Sequence, residues 1–194
     1  LVRSQSASVS SETQRLTLTA STQIFALAYN NGSGNSTTAP LAATLGAAEL
    51  QTAIESLDGI GRGNVQVSAA NGGGWQIAFV GALAGKNINA LRFSEVQTLD
   101  LRLADGRIAD VASLRLSGAT DWAAELNLAG KLPGELRLLL EAEISALSGM
   151  GVGNVAVHAS ATAGIFHVVA TGALAGSDIN SLVLGLSRNV EQAP

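Results

Sequence analysis

The sequence predicts an α+β fold made of two tandem modules. Each reads β-β-β-α-β-β, an antiparallel sheet with one helix packed on one face. Three observations predict it. An internal repeat divides the chain. Short runs alternate apolar and polar residues between glycine- and asparagine-rich turns. In each half, one stretch then switches to helical spacing. The chain has 194 residues, of which 47% are hydrophobic and 13% charged. That is enough apolar material for a packed core and argues against disorder.

The repeat comes first. Gly61-Arg62-Gly63-Asn64-Val65-Gln66-Val67 recurs as Gly151-Val152-Gly153-Asn154-Val155-Ala156-Val157, and Ile54-Glu55-Ser56-Leu57 recurs as Ile144-Ser145-Ala146-Leu147, both 90 residues later. Gly81-Ala82-Leu83-Ala84-Gly85 returns as Gly172-Ala173-Leu174-Ala175-Gly176, and Ile88-Asn89-Ala90-Leu91 as Ile179-Asn180-Ser181-Leu182, both after 91. One residue has therefore been added in the second hairpin turn. Matched blocks in the same order mark a duplication. The modules are placed at 12–96 and 97–189, with linker ends at 1–11 and 190–194. The join near Ser94–Thr98 has no proline and no glycine run, so packed rather than loosely strung modules are expected. The opening Leu-Val-Arg-Ser-Gln-Ser does not read as a signal peptide, so the expectation is a piece of something longer or export by another route.

The elements follow in order. Leu16–Thr19 and Leu99–Leu103 alternate as one-faced strands, and Asp105-Gly106 marks a hairpin after the second. The next strand is Gln23–Tyr29, or Ile108–Leu116. A third runs through Thr37–Ala42, or Trp122–Leu128. Asn30 to Asn35 is turn chemistry. The helices carry Leu50, Ile54 and Leu57 in one half and Leu136, Leu140, Ile144 and Leu147 in the other. Pro133 suits a first turn, Glu135 suits the helix dipole, and Gly59 and Gly149 suit left-handed stops. A hairpin closes each module, with Val65, Val67, Trp75, Ile77 and Phe79 facing inward with Phe25, Leu27 and Tyr29. The second hairpin supplies Val155, Val157, Phe166, Val168 and Ala170. The opening strands of the two modules are also candidates to complete a neighbour's sheet, since edges need covering.

The combination of an aromatic-alternating strand, a short Ala/Leu/Glu helix, Gly-x-Gly-Asn-Val-x-Val and Gly-Ala-Leu-Ala-Gly resembles a known pattern. It is similar to modules repeated in very large bacterial surface and secreted proteins, the giant adhesin-like LEPR-XLL type, with related modules in some phage tail proteins. The resemblance spans roughly 14–185. It implies an extracellular or cell-surface array that spaces or displays other domains, with neighbouring repeat modules as partners and no catalytic residues to carry over. The second module departs from the pattern, with Arg102, Arg107 and Arg115 in its first strands and no aromatic at Ala112.

Few residues of the chain point to chemistry. The chain has no Cys, so it has no disulfide, thiolate site or cysteine nucleophile. Its net charge is −4 and its arginines are dispersed, which argues against nucleic acid. No apolar run is long enough to span a membrane. No Gly-x-Ser-x-Gly elbow or P-loop is present, and the chain is read as not an enzyme. His158 and His167 flank inward residues, so both should point outward on neighbouring strands and can approach across the hairpin. A metal site needs further ligands, none is near in sequence, and surface imidazoles are expected. The first module has Ser68 and Gln76 at these positions. No cofactor is expected. Calcium is the ion to consider in an adhesin-like chain, but Asp58, Asp100, Asp105, Asp110, Asp121 and Asp178 are scattered, and Arg107 sits between Asp105 and Asp110.

Two readings remain. The first is structural, because the residues shared by both halves are mostly Gly, Val, Leu and Ile. Asn64/Asn154 and Asn89/Asn180 are the exceptions and read as backbone-bonding residues at strand entrances. The second is a glycan- or protein-binding module using loops of one copy: the Asn30–Thr38 loop, or the turn carrying Asp105 and Arg107. Trp122 is the candidate sugar platform, while Trp75 reads as core.

Overall fold

The computed structural model describes residues 11–188. The chain is α+β and divides into two compact units after Arg92. The linker ends proposed at 1–11 and 190–194 fall almost wholly outside the described residues.

In the first unit, β1 (Thr13–Leu16), β2 (Ile24–Asn30), β3 (Asn35–Thr37) and β4 (Leu41–Ala42) precede α1 (Ala47–Glu55). The hairpin β5 (Val65–Ala69) and β6 (Trp75–Phe79) follows, then a 3-10 turn at Gly81–Leu83. The short β7 (Arg92–Ser94) begins at the last residue of this unit. The strands before it form two sheets, β1-β6-β5 and β3-β2-β4. Because β2 is covered on both faces, Phe25, Ala26, Leu27, Ala28 and Tyr29 are all buried. Phe25, Leu27 and Tyr29 pack with Leu50, Ile54, Leu57, Ile77 and Phe79 in one core. The expected single strand Thr37–Ala42 is interrupted. Pro40 has no N–H to give the ladder, and Thr38 bridges the gap instead: its N–H donates to Leu27 O, and its buried hydroxyl accepts from Leu27 N at 3.0 Å.

The second unit runs β8 (Val96–Asp100), β9 (Val111–Leu116), β10 (Leu126–Asn127), α2 (Pro133–Ala146), β11 (Val155–Ala159) and β12 (Ile165–Ala170). A 3-10 turn at Gly172–Leu174 and β13 (Leu182–Ser187) complete it. Its sheets are β8-β12-β11 and β10-β9-β13. Leu136, Leu140 and Ile144 of α2 are buried against Leu114, Val155, Val157 and Phe166. Pro133 opens α2, and the Glu135 carboxylate accepts from Leu132 N at 2.8 Å, as a capping box does.

Several expectations are corrected. Each unit holds two sheets, not one. The opening strands begin earlier than the alternation suggested, at Thr13 and Val96, because their partners are β6 and β12 of their own unit. Within this chain they are therefore not exchanged between the two units. Asp105-Gly106 does turn a hairpin, a short one: Leu103 N donates to Arg107 O and Ala109 N to Leu101 O on either side of the bridge Arg102↔Ile108. A strand after Gly-Ala-Leu-Ala-Gly, β13, was not expected; it pairs with β9 over six residues. Val67 and Trp75 are only partly buried. Trp75 lies at the core margin, its ring 6.3 Å from that of Phe25.

Candidate functional site

Asn64 and Asn154, shared by both halves, bind their own backbone. Asn64 Nδ2 donates to Ile60 O, and its Oδ1 accepts from Ala82 N, each at 2.8 Å. Asn154 does the same with Met150 O and Ala173 N at the same distances. The asparagine of Gly-x-Gly-Asn-Val thus holds the 3-10 turn of Gly-Ala-Leu-Ala-Gly. The close approach explains that motif's first glycine. A Cβ on Gly81 would stand 2.6 Å from Asn64 Oδ1 and 2.7 Å from Gly63 O, and one on Gly172 would meet Gly153 O at 2.5 Å. Both glycines also have positive φ, +56° and +50°.

A second network was missed by the sequence reading. Glu12 accepts from Ile88 N, and Gln14 Nε2 donates to Glu12 and to Asn89 O, while its Oε1 accepts from Leu91 N. Glu95 and Gln97 repeat this with Ile179 N, Asn180 O and Leu182 N. The signal was in the sequence: Ser-Glu-x-Gln-x-Leu-x-Leu occurs at 11–18 and again at 94–101. The spacing there is 83, shorter than in the other blocks, which hid it. Among the described residues, no buried side-chain nitrogen or oxygen lacks a partner.

The residues proposed for ligand contact stand apart. Trp122 is 46% exposed. Arg115 lies over its ring, 4.9 Å from the centroid, and donates to Ala119 O at 2.7 Å. Gly185 leaves room for the indole, since a Cβ there would touch its six-membered ring at 3.4 Å. Trp122 borders a surface concavity of about 560 Å³, with Thr120, Asp121, Glu143, Leu147 and Ser148. Asp105 and Arg107 do not line it. Asp105 accepts from Arg107 N at 3.1 Å and pairs with Arg188. The Arg107 amide and the Arg188 charge hold its carboxyl below the usual aspartate range. Asp100 is paired with Arg102 at 2.6 Å. These two acids are thus each engaged by an arginine of their own unit. Among the described residues, no group of three or more His, Cys, Asp or Glu is placed to hold a metal ion.

The Asn30–Thr38 segment is a hairpin braced from within. Asn30 Oδ1 accepts from Gly32 N, and Asn31 Oδ1 accepts from Ser33 N and Gly34 N. Among the described residues, no helix is long and apolar enough to cross a membrane. His158 and His167 are half-buried rather than fully outward, and they face each other across β11 and β12. Compared with known proteins, the chain matches no family model and no curated sequence.

Proposed function

We propose that the chain is a non-catalytic structural segment of a large extracellular, adhesin-like bacterial protein, spacing or displaying other domains at the cell surface. One observation carries this reading: three polar pairs common to both halves, Asn64/Asn154, Glu12/Glu95 and Gln14/Gln97, satisfy backbone groups of their own unit. A shared ligand would instead favour matched side chains aimed at solvent. The test is mechanical. Pulled from its ends, the full chain should unfold in two cooperative steps, each releasing on the order of 300 Å of chain. Gradual extension without discrete steps would overturn the spacer reading.

A second reading is favoured by the exposed indole of Trp122 beside the Thr120–Asp121–Glu143 concavity. In it, the second unit alone binds a glycan, the ring stacking on a sugar and the carboxylates accepting from its hydroxyls. Glycan-array binding by the full chain that disappears in Trp122→Ala would select this reading. An empty array would leave the spacer reading in place.

A further inference from the structure

We propose that His158 and His167 form a two-imidazole site for a late first-row divalent ion of the copper, nickel and zinc class, clamping β11 to β12 in the second unit alone.

The register carries the argument. His158 stands directly opposite His167 on the antiparallel neighbour, so both imidazoles leave the same face of the sheet. The third strand of that sheet continues the row, with His167 opposite Thr98. Thr98 Oγ1 lies 3.1 Å from His167 Nδ1. An oxygen on one ring nitrogen orients the imidazole and leaves Nε2 as the ligand atom, the arrangement usual for metal-binding histidines. Burial holds both imidazoles below the ordinary histidine value. The charged groups facing His158 from α2 are Glu141, which favours a cation, and Arg137, which opposes it; these two are paired with each other at 3.3 Å.

The first unit is an internal control. The same row there reads Ser68, Gln76 and Arg15, in the same register. It offers no imidazole, and it places a guanidinium where the second unit has Thr98. The donor set also selects the ion. Two nitrogen ligands suit copper, nickel and zinc and are poor for calcium and magnesium, which take oxygen. The remaining coordination positions would be filled by water.

Titration calorimetry on the full chain, free of any histidine tag, tests the site with Cu²⁺, Ni²⁺ and Zn²⁺ against Ca²⁺ and Mg²⁺. One transition-metal ion should bind per chain, most tightly Cu²⁺, with no response to Ca²⁺ or Mg²⁺. His158→Gln or His167→Gln should each weaken binding about a hundredfold, since the second imidazole then no longer acts intramolecularly. The native chain supplies a readout that needs no variant: substoichiometric Ni²⁺ should broaden the imidazole proton signals of His158 and His167 together. Binding unchanged in either variant, no saturable binding, or broadening of one imidazole alone would overturn the proposal.

Discussion

Asn64 and Asn154 show how a single side chain can join two sequence motifs. Each amide satisfies one carbonyl before its strand and one N–H in the 3-10 turn that follows the hairpin. Truncating it frees an N–H at an exposed position that water can reach, so the cost is that of an ordinary hydrogen bond, about 0.5–1.5 kcal/mol. Asn154→Ala is expected to lower the stability of the second unit by that amount, with Asn64→Ala matching it in the first, as urea unfolding would measure. Glu12 adds a pH dependence. The Ile88 N–H, with help from Gln14, holds its carboxyl below the ordinary glutamate value of 4.5. A depressed folded value means the contribution is complete above the unfolded value and is lost as pH falls through the folded one. The first unit should therefore melt at lower temperature as pH drops below 4.5, and Glu12→Gln should flatten that part of the profile.

At the scale of elements, each helix guards a sheet edge as well as covering a core. The β11 strand ends its sheet, and its Val157 N–H points outward to Glu141 of α2 at 3.0 Å. In the first unit, Gln51 of α1 accepts from Val67 N at 3.2 Å. Unpaired edges invite association with other chains. Glu141→Leu should cost about 1–2 kcal/mol and increase aggregation on light scattering, while Glu141→Gln, which restores the first unit's chemistry, should keep both near their starting values. Helices and closing hairpins were legible because their apolar spacing is dictated by burial against one surface. Leu50, Ile54, Leu136, Leu140 and Ile144 are all fully buried, as their stripes required. The opening strands were not legible to the residue. The alternation of Leu16-x-Leu18 runs on past the ladder, and only pairing with β6 decides where the strand stops.

At the scale of the molecule, the larger buried side chains among the described residues form two core clusters, one in each unit. Leu27, Leu50 and Phe79 belong to the first, and Leu114, Leu140 and Phe166 to the second. Removing a fully buried leucine costs about 2–5 kcal/mol. Leu140→Ala should therefore lower one calorimetric transition and leave the other where it was, whereas Leu50→Ala should do the reverse.

The sequence by itself determined the α+β class, the repeated blocks, the helices and the hairpin that follows each. These rest on local periodicity and turn chemistry, which a chain carries without reference to distant partners. Only the tertiary structure decided the split into two sheets per unit, the late strand at Leu182–Ser187 and the matched Glu-x-Gln clamps. It also decided the separation of Trp122 from Asp105 and Arg107. Each of these depends on which backbone N–H meets which acceptor across tens of residues, and hydrogen-bond satisfaction over that range leaves no periodic trace in the chain.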